Sequence, residues 1–326
     1  MSTRTHPLPI RAQAAQIDRW LDERLHTVLP ALLDRAGIDT WIVSAREYHE
    51  DPVMAALLPG EWHSARRRTI LVLHRTPDGV DAEAVARYPV GTAYTPVWQG
   101  NGAAAGGPAT ETRDPETGAP ETQWEALRRV VAARDPRRIG LDTSSTFALA
   151  DGLSATEERA VLAALGPLAA RVASAEAVAI GLLETRLPAE IEAAHELNAL
   201  AHTVIADAYA AVTVGTTTAL DVAWWIDQRF ADLGTPSWFR ATVDVQRRGV
   251  ALGAVPEDAV VLPGDLLHCD VGLVSCRLHT DTQQNAYVLQ SGETTAPRGL
   301  VDALTVGNRM QDLTCAALTT GGTGND

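Results

Sequence analysis

Residues 268 to 289, HCDVGLVSCRLHTDTQQNAYVL, place Asp270 and Asp281 eleven positions apart in a run otherwise apolar and β-branched enough to form strand. Strands that carry two carboxylates can bury a face only if those charges are compensated, so this stretch constrains the fold more than any other. If LLHCDVGLV and RLHTDTQQNAYVL pair as a hairpin turning at Ser275 and Cys276, Asp270 and Asp281 stand directly opposite each other on one face. Opposed residues have Cβ atoms about 4.5 to 5.5 Å apart, and like charges there destabilise the pair. A divalent cation, or one proton shared by the two acids, is the natural compensation. A competing register leaves each aspartate facing water, since VSCR lacks the Asn-Gly signal of a tight hairpin.

At 326 residues the chain exceeds one typical small domain and points to two, each with its own core. A net charge of −14 argues against a nucleic-acid or anionic-membrane partner, because both require a positive face. The first thirty residues carry charges every few positions, and no segment reaches the roughly 18 uninterrupted apolar residues of a membrane span. The expectation is a cytoplasmic protein. Cys269, Cys276 and Cys315 are too irregularly spaced for a disulfide framework or zinc knuckle and read as three buried thiols.

Residues 14 to 36 space their apolar positions at three and four, with Gly37 as a stop, which predicts a helix. DTWIVS (39 to 44) and RTILVLH (68 to 74) read as strands joined by a helix-like connection, an α/β opening. Residues 100 to 122 turn abruptly to Gly, Ala, Pro, Thr and Glu, the composition of a flexible insertion. Helix, strand and helix follow, over 123 to 135, 137 to 144 and from 155, and the first domain is expected to end near residue 180. From Pro188 the chain changes to long helices, the second capped by Thr217 or Thr218 and stopped at Gly234. Antiparallel strands and a last helix over 301 to 318 complete the pattern.

PGDLLHCDVGLVSCRLHTDTQQNAYVL resembles the first metal-ligand segment of the pita-bread (M24) metallopeptidases, the family of methionine aminopeptidase, Xaa-Pro aminopeptidase, prolidase and creatinase. Gly264-Asp265, Asp270-Val271-Gly272 and Asp281 match its elements in order. ETRLPAEIEAAHELNALAHTVIADAYAAVTVGTTTALDVAWWIDQRF is similar to the helical start of the catalytic domain, and LLDRAGIDTWIVSAREYHEDP to the N-terminal domain of creatinase and prolidase. The resemblance implies an α/β domain over residues 1 to 180 and part of an α+β pita-bread catalytic domain over 181 to 326. It also implies two divalent ions, Mn first with Co, Zn or Fe as alternatives. Asp270 would chelate one ion and Asp281 would bridge both, with a bridging hydroxide as nucleophile. The substrate would be a peptide losing its N-terminal residue ahead of proline, and a homodimer is an expected arrangement.

The match is partial. The family supplies one His and two Glu ligands downstream, whereas no His follows Asp281 here and the only later Glu is Glu293. The resemblance therefore implies a truncated chain, inactive alone or completed by a second chain, and no catalytic or cofactor-binding side chain is identified beyond the two metal aspartates. Asp281-Thr282-Gln283-Gln284-Asn285 departs from the family's Asp-x-Thr-Arg-Thr, and no histidine lies between His202 and His268. A creatinase-like C–N hydrolase and a non-catalytic protein-interaction module are the alternatives.

Other residues have plainer readings. His195 and His202 share a helix face without a functional role. His268 and His279 lie two positions before each aspartate, on the same strand faces. Trp224 and Trp225 are expected to pack their helix, Arg66, Arg67 and Arg68 to form a solvated edge, and NGAAAGG (101 to 107) lacks the context of a phosphate loop.

Overall fold

The computed structural model describes residues 6–98 and 118–325. Apolar spacing of three and four produces α1 (Ile10–Glu23), a π-helical turn (Arg24–Val28) and α2 (Leu29–Ala36), and Gly37 ends the run in the left-handed conformation at φ 63°. Next come β1 (Thr40–Arg46), the short α3 (Met54–Leu57), β2 (Arg68–Thr76), β3 (Gly79–Ala86) and β4 (Thr95–Trp98). After them lie α4 (Gln123–Arg134), β5 (Ile139–Leu141), α5 (Ala155–Leu165), β6 (Val172–Ser174) and α6 (Glu176–Glu184).

These strands form one mixed sheet in the order β4-β3-β2-β1-β5-β6. β1 is antiparallel to β2 and parallel to β5, so the link from β1 to β2 is not a parallel crossover. Sequence periodicity missed β3, whose Asp, Glu and Ala are poor strand formers. Its signal was the turn: Pro77-Asp78 joins Thr76 to its partner Gly79, a Pro-Asp-Gly hairpin. Helices cover both faces. Trp41, Val43, Leu71 and Leu73 pack with Leu25, Leu29, Leu33 and Leu182, while Ile42, Ile70 and Val72 pack with Leu127, Val131, Val161 and Leu165.

Arg68 is no solvated edge. It makes two hydrogen bonds to the buried Glu157, at 2.9 and 3.0 Å, and its guanidinium lies 4.7 Å from the Trp124 ring centroid. Most of the expected insertion, including NGAAAGG, falls outside the described residues. At its far end Thr122 caps α4 in a reciprocal capping box with Glu125.

The chain divides into two compact units, one of Leu8–Ala193 with the turn residues Cys276–Leu278, the other built from Ala194–Ser275 and His279–Asp326. The second unit contains most of α7 (Pro188–Ala210), then α8 (Ala219–Asp232), β7 (Thr242–Gln246), β8 (Leu266–Val271) and β9 (Val274–Ser275). β10 (Leu278–His279), β11 (Thr282–Tyr287) and α9 (Arg298–Ala317) follow. Thr218 caps α8 with Asp221 as its capping-box partner. The antiparallel sheet β11-β8-β7 buries Val243, Val245, Leu267, Cys269 and Val271 on one face. Cys269 and Cys276 are buried as expected, but Cys315 is exposed on α9, a helix with no buried residue. Among the described residues no helix is long and apolar enough to cross a membrane.

Candidate metal centre

Strand alternation puts Val271, Cys269 and Leu267 on the buried face of β8, so Asp270 and His268 occupy the other face. Thr242 of β7 and Gln283 of β11 flank Asp270 there, and Asp244 and Asn285 flank His268. This open polar face carries the candidate site.

The register differs from the directly opposed pair. The hairpin turns at Cys276 and Arg277, both left-handed at φ 50° and 64°, the geometry of a two-residue type I′ turn formed here without Asn or Gly. Asp270 therefore pairs with Gln283, and the Thr280 amide bonds to Leu273 O, which leaves Asp281 level with Gly272. Moving the turn by one residue shifts the pairing by two, and a shift of two keeps both carboxylates on one face. Asp270 and Asp281 are diagonal neighbours rather than opposed ones.

They still act on each other. Burial pushes the Asp270 carboxyl above its ordinary range, the Asp281 carboxylate beside it adds to that rise, and His268 partly offsets it. Asp270 Oδ1 is sealed from solvent without a hydrogen-bond partner. Asp281 is exposed. His268 Nε2 lies 3.2 Å from Gln283 Oε1, and its Nδ1 lies 4.0 Å from Asp244 Oδ2.

Gly272 is explained by what covers it. A Cβ there would lie 2.2 Å from Trp238 Nε1 and 2.5 Å from Phe239 Cε1. The Trp238 indole donates to Thr280 O at 2.8 Å, and the ring of His279 stands edge-on to it with centroids 5.8 Å apart. The aromatic pair over Gly272 was not singled out from the sequence, although a glycine two residues after a strand aspartate is a sign of close approach.

Gly264-Asp265 has a structural role. Gly264 adopts φ +89°, and Asp265, 1% exposed, receives hydrogen bonds from Arg247 Nε and Nη2, both at 2.8 Å, and from the Leu262 amide at 2.8 Å. This clamp ties the segment after β7 to the start of β8. His195 and His202 are exposed on α7. Trp224, expected to pack its helix, is 59% exposed with the Arg240 guanidinium 5.4 Å from its ring centroid.

Two carboxylates, one with an orphaned oxygen, suit a hard divalent cation. Among the described residues, however, no group of three or more His, Cys, Asp or Glu is gathered to hold a metal. The pair fits part of a coordination sphere.

No family model matches the chain, and no curated protein matches it by sequence. Solved structures do match. An X-Pro aminopeptidase from Thermotoga maritima MSB8 is similar over 84% of this chain and 69% of its own, at 15% identity and TM-score 0.58. A Xaa-Pro dipeptidase from Bacillus anthracis is similar over 90% of this chain and 69% of its own, at 15% identity and TM-score 0.54. A dipeptidase from Pyrococcus horikoshii OT3 is similar over 80% of this chain and 65% of its own, at 12% identity and TM-score 0.51. The fold of this chain is thus similar to that of an X-Pro aminopeptidase and two dipeptidases, one of them a Xaa-Pro dipeptidase, along about two thirds of their length.

Proposed function

We propose that this chain is a metal-dependent, peptidase-like hydrolase related to Xaa-Pro aminopeptidases, with Asp270 and Asp281 as its metal ligands. The observation that supports this most directly is Asp270 Oδ1, a carboxylate oxygen sealed from water with no donor, beside a second carboxylate on an open sheet face. Such a pair gains by holding a divalent cation, manganese first and cobalt, zinc or iron as alternatives. When bound, divalent ions polarise a peptide carbonyl and acidify a water molecule. The chain's own residues hold that charge in place: the β8–β11 ladder fixes Asp270, and Gln283 and Asp244 restrain His268 two residues before it.

Two carboxylates leave most coordination positions to water. Cleavage of a peptide ahead of proline therefore requires further donors, from a second chain or from residues beyond those gathered here. That shortage favours a second reading, a non-catalytic protein-interaction module on the same fold.

Equilibrium dialysis of the whole chain against Mn(II) tests the site. Stoichiometric retention that is lost in Asp270→Ala and in Asp281→Ala is the expected result, and no retention by the wild type would defeat the metal-site reading. Retention without hydrolysis of Xaa-Pro peptides would leave the interaction module ahead.

A further inference from the structure

Two buried acids of the N-terminal unit lie apart from the candidate metal centre. Asp51, just ahead of α3, and Asp142, at the end of β5, are each 1% exposed. Each has one satisfied oxygen. Trp41 Nε1 on β1 donates to Asp142 Oδ1 at 2.6 Å, and the Val53 amide donates to Asp51 Oδ1 at 2.8 Å. The other oxygens, Asp142 Oδ2 and Asp51 Oδ2, are sealed from solvent with no donor. The two carboxyls nevertheless lie within hydrogen-bonding reach of each other. Gly152 closes the site, since a Cβ at that position would come within 2.3 Å of Asp51 Cγ.

Two carboxylates cannot both ionise in such a place. Burial penalises the charged form, and a like charge alongside adds to the penalty. The remaining charge acting on Asp51 is Asp151, again negative, whose carboxylate accepts the Ser144 amide at 3.0 Å. Among the described residues no cationic side chain pairs with either acid. A single proton between the orphan oxygens satisfies both at once, one becoming donor and the other acceptor. A cation is a poorer occupant, because the Trp41 N–H already points its positive end at Asp142.

We propose that Asp51 and Asp142 share one retained proton in the folded protein, and that this carboxyl–carboxylate bridge ties β1 and the end of β5 to the start of α3, making the stability of the N-terminal unit sensitive to pH. The electrostatics point the same way: burial and then the Asp51 carboxylate push Asp142 well above the usual carboxylate range, and burial pushes Asp51 up to about 6. In the unfolded chain both acids release their protons near pH 3.9. Folded pKa values above the unfolded ones mean that the bridge contributes fully below that pH. Its contribution falls as pH rises, by about tenfold in the folding equilibrium constant per pH unit for one retained proton, until the native bridge itself ionises.

Infrared spectroscopy of the full chain at pH 7 reads the proton directly. A protonated-carboxyl C=O stretch is expected in the wild type and absent in Asp51→Asn and in Asp142→Asn, where an amide N–H replaces the shared proton. Either variant should also lose the tenfold-per-unit pH slope in its folding equilibrium. A wild type with no such band, or a band and slope unchanged in both variants, overturns the proposal. If neither variant folds, proton release decides: unfolding the wild type at pH 7 must release one proton, and no release refutes the bridge. Saturable stabilisation by Mg(II) or Ca(II), lost in the same variants, would overturn the shared proton in favour of a cation.

Discussion

Asp270 pairs across the β8–β11 ladder with Gln283, and Asp281 lies two residues away on the same face of that ladder. The two carboxylates are diagonal along the ladder, and their side chains still come within hydrogen-bonding reach of each other. The position opposite Asp270 is where a third acid would be felt most.

Gln283→Asp tests this register. A carboxylate directly opposite Asp270 is expected to destabilise the metal-free protein by about 0.5 to 1 kcal/mol at pH 7, the scale of cross-strand pairs. Mn(II) should reverse the loss. Thermal unfolding with and without Mn(II) checks both parts, and a variant as stable as the wild type in metal-free buffer would argue that another residue faces Asp270.

Gly272→Ala should disrupt the aromatic cover. The new Cβ meets Trp238, Phe239 and the Thr280 carbonyl, two of them side chains and one backbone. Overpacking of this kind costs about 1 to 3 kcal/mol. Trp238→Ala in the same chain should recover part of that loss, because the indole is removed while the carbonyl remains. Denaturant unfolding of the two single variants and the double variant gives the coupling energy.

Asp265→Asn is expected to show a pH signature. Burial alone would raise the Asp265 carboxyl, but the hydrogen bonds from Arg247 and the Leu262 amide outweigh it and hold the carboxyl below its ordinary range. A lowered folded pKa gives stability that is present above the unfolded value near 3.9 and lost as pH falls through the folded one. The substitution should cost about 1 to 2 kcal/mol at pH 7, the scale of charge-assisted hydrogen bonds to a partly exposed partner. The difference from wild type should shrink on acidification below pH 4. Chemical denaturation across that range measures it.

The last helix should drive self-association. Val301, Leu304, Met310 and Leu313 of α9 are 48%, 57%, 67% and 53% exposed. A helix that buries none of its residues and exposes large apolar side chains favours association in water. Sedimentation velocity should show concentration-dependent association that falls in a Leu304→Glu, Leu313→Glu variant. A wild type that stays monodisperse and monomeric at all concentrations would count against it.

Where elements depend on local chemistry, sequence and structure agree closely. Thr218 and Gly234 bracket α8, Gly37 ends α2, and the β-branched runs at Thr40 and Arg68 become strands, because capping, left-handed glycine and strand propensity act within a few residues. β3 was lost for the opposite reason. Its residues are indifferent to strand, and pairing with β2 makes the choice for them.

The candidate site divides along the same line. Residue spacing places Asp270 and Asp281 on one face of a strand pair for any two-residue turn, since side chains alternate with period two. Only the tertiary structure decided the register, because Cys276 and Arg277 accept left-handed backbone that no Asn-Gly signal announces. Only packing placed Trp238 over Gly272 and brought Asp51 to Asp142 from ninety-one residues away. Such contacts arise from how the sheets and helices close on one another, and nothing in the local pattern of either partner encodes the distance between them.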